Sequence, residues 1–298
     1  MTEKFVLFLG GGTMSGMFGM GVLSAFERAD IHSRIEAIYA VSAGALNGAY
    51  FLAGQSELGA TVYYDNLVNG FIKPEKIPML LLHACLCAVS GGGRPTKGMD
   101  IVSIDYLFEV LERDKMLDIP KLSQRGVPLF VKLINLNTGQ LVYHNVLSTG
   151  RPMQVLKSAV SVVPYYSVCK RADEESWADG ALLEPLGVTS VLARHPYHKV
   201  VAVLNTRPSR GKMHKLKACA EGLVTSAIYP GMKLYNFLKR EQRFNREMAE
   251  ISGHPRITII SPRSPKEVRP NLTNRDCLLG VYEMGLVAGQ EFVQAYDD

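Results

Sequence analysis

The chain has 298 residues, 47% of them hydrophobic and 20% charged, with a formal net charge of +5. That balance excludes a disordered chain and suits a globular protein with a sizeable core, and no apolar run reaches the roughly 18 residues of a membrane-spanning helix. Five cysteines, an odd number without a C-x-x-C pair, point to reduced thiols in a cytoplasmic protein, and the apolar run after Lys4 is too short for a signal peptide.

Residues 5–9 (FVLFL) form a continuous apolar run ending in glycine, the pattern of a buried parallel strand. Gly10, Gly11, Gly12, Thr13, Met14, Ser15 and Gly16 follow, and a helical pattern then runs over 17–28. A strand, a glycine loop and a helix make a cradle of backbone N–H groups for something negative. A dinucleotide fingerprint fails, because counting from Gly10 puts Ser15 in its last position and counting from Gly11 puts Thr13 in its third; a Walker A loop fails for want of Gly-Lys-Ser/Thr. An oxyanion-binding loop remains.

A second strand over 35–41 stops at Ser42, and Ala43 and Gly44 lead into a helical segment over 45–53. Small residues are what a sharp strand-to-helix bend needs, and the helix N-terminus beneath the serine favours developing negative charge. The string is the nucleophile-elbow pattern G-x-S-x-G with Ala40 at the first glycine. Taken alone, it also reads as a serine N-cap on a core helix.

Further along, 59–71 is helical, and 77–89 is the most apolar part of the chain. A buried helix is expected there; the alternative is a partly exposed lid touching lipid, hinged at Gly91, Gly92 and Gly93. A helix over 105–117 precedes a hairpin of strands 127–136 and 140–144, turned at Asn137-Thr138-Gly139. A short helix at 153–160 is followed by an acidic turn (Asp173, Glu174, Glu175) and then Asp179-Gly180-Ala181, in which the aspartate by itself reads as a turn residue. A helix over 188–194 and a strand over 199–204 come next. An amphipathic helical pattern over 232–251 carries a basic face of Lys233, Lys239, Arg240, Arg243 and Arg246. A last strand at 256–260 and a helix over 275–295, docked through Leu278, Leu279, Val281, Leu286 and Phe292, end the series. This alternation predicts an α/β fold with a largely parallel sheet, as one domain over 1–298.

Between Asn205 and Arg246 ten Lys and Arg face two Glu. The tract reads as a solvated face or a contact for anionic headgroups; without a recognised module or interleaved aromatics it gives no nucleic-acid partner. The seven histidines offer a rival triad base, but none sits in a recognisable strand-end context; His195 and His198 flank Pro196-Tyr197 and read as a loop rather than a metal pair.

Three separated elements thus carry special residues: the loop 10–16, the Ser42 elbow and Asp179-Gly180-Ala181. In this order they resemble the patatin-like phospholipase family, which joins a glycine-rich oxyanion loop, a G-x-S-x-G elbow and a D-G-G/A motif bearing the catalytic aspartate. Gly21-Val22-Leu23, residues 42–47, Leu136-Asn137-Thr138-Gly139 and residues 158–164 are similar to family strings, and 279–286 is similar to the ending of its bacterial intracellular branch, so the resemblance spans nearly the whole chain. It implies a three-layer α/β domain and a serine acyl hydrolase of phospholipid or lysophospholipid esters, needing no metal or cofactor. Ser42 would be the nucleophile and Asp179 its base; Gly11, Gly12 and Ala43 would supply oxyanion N–H groups, framed by motif positions Gly10, Gly16, Gly44, Gly180 and Ala181. A lipid substrate further implies peripheral contact with an anionic membrane, through 77–89 or the basic face of 233–246. Three departures stand out: Ala40, Thr13 where a third glycine would fall, and Ser15 where the family usually has Arg or Lys. They imply a slow enzyme that an arginine at 15 would speed, or a catalytically weak lipid- or acyl-binding relative.

Overall fold

The computed structural model describes residues 4–90, 98–148, 150–167, 175–205, 212–229, 231–263 and 268–297. Gly91–Gly93, Asp173 and Glu174, named above for a hinge and an acidic turn, lie outside the described residues. Strand β1 (Phe5–Leu9) leads through the glycine loop to α1 (Gly16–Arg28), and β2 (Ile35–Ala40) leads through Ser42 to α2 (Ala43–Leu52). Then come α3 (Ser56–Thr61), α4 (Ile77–Ser90), α5 (Ile104–Glu109) and α6 (Ile119–Gln124), followed by β3 (Leu129–Asn135), β4 (Leu141–Asn145) and α7 (Pro152–Val160). The remainder is β5 (Trp177–Asp179), α8 (Val188–Arg194), β6 (Lys199–Val203), α9 (Lys212–Ile228), α10 (Leu234–Leu238), α11 (Arg240–Ile251), β7 (Ile257–Ile260) and α12 (Arg275–Asp297).

The strands form one sheet in the order β4-β3-β2-β1-β6-β7. Neighbours are parallel except at β4, which returns antiparallel on β3 as the hairpin pattern predicts. Alternate side chains face opposite layers. Phe5, Leu7 and Leu9 join Ile38, Ala40 and Val131 in the core beneath α1, α2 and α12, while Val6, Phe8, Tyr39 and Ala202 pack with Val188, Val191 and Ile251 of α8 and α11. The central strands read as unbroken apolar runs because both of their faces are covered. A third cluster joins Leu80 and Ala84 of α4 to Val224 and Ile228 of α9, Phe237 of α10, and Ile134 at the end of β3. Among the described residues no helix is long and apolar enough to cross a membrane.

The buried helix expected at 77–89 is corrected. Of α4 only Leu80, Ala84 and Cys87 are buried, whereas Leu82 is 64% exposed and Val89 88%. Packed on α9, α4 rests on one narrow edge rather than being enclosed, so hydrophobicity all around the helix does not translate into burial. The pattern over 232–251 is likewise divided, with Lys239 the C-cap of α10 and the N-cap of α11.

One pairing positions the site. The first half of β3 pairs with β2, up to Ala40 opposite Val131; its second half pairs with β5, with Asp179 opposite Leu133. β4 occupies the other edge of β3 along this length. β5 therefore takes the place that β2 vacates when the chain turns at Ser42. Two residues of strand separate the two pairings, about 7 Å at 3.3–3.4 Å per residue.

Candidate active site

Ser42 sits between β2 and α2 with φ 53° and ψ −129°, a left-handed conformation costly for a residue with a Cβ. The bend is held by backbone bonds: Val41 N–H donates to Leu9 O at 3.0 Å, Gly44 N–H to Val41 O at 3.0 Å, and Ala45 N–H to Ser42 O at 2.8 Å. A side chain at Gly44 would place its Cβ 2.5 Å from the Leu9 carbonyl oxygen, so the elbow requires glycine there. Ala40, by contrast, is an ordinary buried residue of β2, and its methyl group lies in the core.

The glycine loop passes directly over the serine. A Cβ at Gly11 would lie 2.8 Å from that of Ser42, and Gly12 has φ +145°, which glycine adopts readily. Thr13 holds φ 52°, a strained choice for a β-branched residue. The loop carbonyls are tied back. Asn205 Nδ2 donates to Gly10 O at 2.6 Å and Gly11 O at 3.2 Å, while its Oδ1 accepts from Gly19 N–H at 2.8 Å. Ser15 Oγ donates to Gly12 O at 2.7 Å. By contrast, the N–H groups of Gly11, Gly12 and Ala43 donate to no acceptor among the described residues.

Ser15 is 1% exposed, which counts against the expectation that an arginine would fit in its place. The serine is the loop's internal tie, and a long side chain there would have to displace its buried surroundings. Beneath it, Asn47 Nδ2 donates to Gly16 O at 2.7 Å and its Oδ1 accepts from Tyr63 Oη at 2.8 Å, anchoring the start of α1 to α2. A Cβ at Gly16 would meet that Tyr63 hydroxyl at 2.6 Å.

Asp179, at the end of β5, is 2% exposed. Burial pushes its carboxyl up to about 6, against the smaller opposing effects of the Ser42 hydroxyl, the Ala181 N–H and the Lys132 ammonium. Oδ1 accepts from Ala181 N–H at 2.9 Å. Oδ2 is buried and accepts no hydrogen bond of ordinary geometry, although the Ser42 hydroxyl lies near enough to favour the charged carboxylate. The two groups are thus neighbours without a closed hydrogen bond between them. Lys132 of β3 lies fully buried against Gly180, where a Cβ would meet its Cγ at 2.5 Å. Its Nζ donates to Glu184 Oε2 at 2.6 Å and to the Leu186 carbonyl, which fastens the turn after Asp179.

Ser42 forms part of the wall of two cavities. One, of about 240 Å³, runs among Leu46, Tyr50, Leu67, Phe71, Leu107 and Leu111 and is predominantly apolar. The other, of about 360 Å³, holds Gly10, Gly11, Gly12, Asp179, Asn205 and Arg240. Thr13, Val162, Tyr165 and Glu221 border both. Glu221 there accepts from Tyr165 Oη at 2.5 Å and from Arg240 at 2.6 Å. No histidine lines either cavity among the described residues, and His195 Nε2 instead lies 3.1 Å from Tyr39 Oη.

Of the residues singled out from sequence, the structure brings Ser42, Asp179, Ala181 and the loop glycines Gly10, Gly11 and Gly12 to one cavity, with Ala43 beside Ser42 in the other. It adds Asn205, Tyr165, Glu221, Arg240 and Lys132. Two of these carried a signal. Asn205 directly follows the β6 run, at the carboxyl end of a parallel strand where ligand-binding groups gather, and Glu221 is a rare acid in a basic tract.

A family model described as patatin-like phospholipase matches residues 7–192. No curated protein matches the chain in sequence. In structure it is similar to VipD from Legionella pneumophila, with a TM-score of 0.50 at 13% identity over 99% of this chain and 67% of that one. ExoU of Pseudomonas aeruginosa, solved in complex with SpcU from the type III secretion system, gives a TM-score of 0.40 at 13% identity over 99% of this chain and 53% of that one. The chain thus spans about two thirds of VipD and about half of ExoU. The likeness to VipD is one of fold: mixed α/β around a central, mostly parallel sheet.

Proposed function

The chain belongs to the patatin-like phospholipase family, and from that premise we propose that it hydrolyses carboxyl esters of phospholipids or lysophospholipids through a Ser42–Asp179 dyad. The observation that carries this reading is the pairing of a strained, cavity-facing serine with a buried carboxyl raised to about 6. A carboxylate of ordinary pKa near 4 is a weak base for a serine hydroxyl; desolvation makes this one stronger while leaving it ionised at neutral pH.

Ser42 Oγ attacks the ester carbonyl carbon and passes its proton to Asp179. The N–H groups of Gly11, Gly12 and Ala43 hold the oxyanion; losing one such donor typically costs about 3–4 kcal/mol of transition-state stabilisation. The tetrahedral intermediate collapses, the leaving alcohol takes the proton from Asp179, and an acyl-Ser42 ester remains. Water then gives a proton to Asp179 as its oxygen attacks the acyl carbon. Collapse releases the fatty acid and returns the proton to Ser42. The apolar cavity suits the acyl chain and the polar one the leaving alcohol. No step calls on a metal or cofactor.

Ser15 and Ala40 were the features favouring a catalytically weak acyl-binding protein, and both have structural places that leave the dyad intact. The test is release of fatty acid from a lysophospholipid, and of nitrophenol from a p-nitrophenyl acyl ester. Ser42→Ala is expected to lower both by on the order of 10⁴ or more. Unchanged turnover in Ser42→Ala would sink the reading.

A further inference from the structure

Among the described residues thirteen large apolar side chains are exposed, and nine of them sit on α4, α9 and α10. They are Ile77, Met79, Leu81, Leu82, Leu86 and Val89 on α4, Leu223 on α9, and Tyr235 and Leu238 on α10. These helices pack on one another through Leu80, Ala84, Val224 and Phe237. The clustering sets them apart from the scattered apolar residues of an ordinary surface.

Of these helices α9 reaches the site itself, and α4 and α10 pack beside it. Tyr165 packs against the cluster that holds Leu80 and Ala84, and both Tyr165 and Glu221 of α9 border the two cavities that meet at Ser42. The charge around the face is mainly basic. α4 carries no Asp, Glu, Lys or Arg, and His83 is its one basic side chain; Lys73 and Lys76 precede it, with Glu75 between them. Lys233 caps α10, and Lys239 at its other end holds its ammonium 4.4 Å from the centre of the Tyr235 ring. Arg240 and Arg243 are committed inward, to Glu221 and to the Leu183 carbonyl, so the outward basic residues of this region are the lysines.

An apolar ridge flanked by lysines and an aromatic ring is the arrangement of a surface that lies in a lipid interface, with cationic heads reaching back to the phosphates. It is less suited to a protein partner, because lysine is depleted in protein–protein contacts. We infer that the face formed by α4, α9 and α10 docks on an anionic lipid surface and presents the mouth of the Ser42 cavity to it. This rests on the lipid-ester reading above and adds to it where the substrate is met: at an aggregate, through a built-in docking face.

The test is co-sedimentation of the full chain with vesicles of phosphatidylglycerol and phosphatidylcholine in equal parts, against phosphatidylcholine alone. The variants are Leu82→Asp/Leu86→Asp and Lys233→Glu/Lys239→Glu, all outside the cavity walls. The wild type is expected to bind the anionic vesicles, less as salt rises, and each double variant to bind at least about tenfold more weakly. Both variants should hydrolyse a soluble p-nitrophenyl ester at the wild-type rate, and Ser42→Ala should bind vesicles like the wild type. Absence of binding, equal binding by the variants, or variants that lose the soluble-ester rate would each overturn the docking face. So would a change of oligomeric state in place of altered binding. Vesicle binding by a wild type that hydrolyses neither ester would leave the docking face standing and remove the hydrolase reading instead.

Discussion

At the scale of single residues, the proposed chemistry hangs on what burial does to one carboxyl. Asp179 has a reference value of 3.8 and is pushed up to about 6 in the fold. As a base it works ionised, so kcat/KM is expected to rise through about pH 6 and level off above it. The same shift has a stability consequence of opposite sense. The folded chain binds this proton more tightly than the unfolded chain does. The contribution is neutral below about pH 4 and becomes destabilising as pH rises to about 6, after which it is constant at about 2–3 kcal/mol. Asp179→Asn should therefore abolish hydrolysis yet raise stability by about 2 kcal/mol at pH 8 and little at pH 4, as read by denaturant unfolding. A variant less stable than wild type at pH 8 would show that the carboxylate is better solvated than its burial implies. Ser15 illustrates what sequence leaves out. Its place in the string is legible, but its inward direction and bond to Gly12 O depend on a loop conformation no string encodes. Ser15→Arg is expected to slow catalysis and lower the thermal midpoint, and a faster enzyme would contradict this packing.

At the scale of elements, the closest approach is between α1 and α12. A Cβ at Gly285 would fall on the Phe18 carbonyl and one at Gly21 on the Tyr282 carbonyl, so the two helices meet backbone to backbone. Gly280, on the same helix, faces open space. Gly285→Ala is expected to cost about 2–3 kcal/mol through overpacking, while Gly280→Ala should gain up to about 1 kcal/mol from helix propensity; denaturant midpoints check both. Equal effects would mean the crossing is looser than it looks. The central strands and most helices were legible because two-sided burial writes continuous apolar runs and amphipathic helices write their period. β5 was not, since Trp177-Ala178-Asp179 is three residues long and is a strand only because β3 offers an unpaired edge. α4 misled in the opposite way. Its all-round hydrophobicity signals burial in a core, yet here it builds an exposed face.

At the scale of the whole molecule, the site is an outcome of topology. β2 and β5 share one edge of β3 in succession, and this brings residues 42 and 179 together although 136 residues lie between them. The family match ends at residue 192, yet Asn205, Glu221 and Arg240 complete the loop and the cavity walls, and α12 clamps α1. The later part of the chain is thus structural to a site whose motifs all lie earlier, and for that reason motif reading singled out Ser42 and Asp179 but not the residues that support them. The most direct measurement on the dyad is labelling of the folded wild type with a fluorophosphonate probe, followed by peptide mapping. The account predicts one modified site, Ser42, with labelling at least about a hundredfold slower in Asp179→Asn. Labelling at another serine, or undiminished labelling of Ser42 in Asp179→Asn, would contradict it.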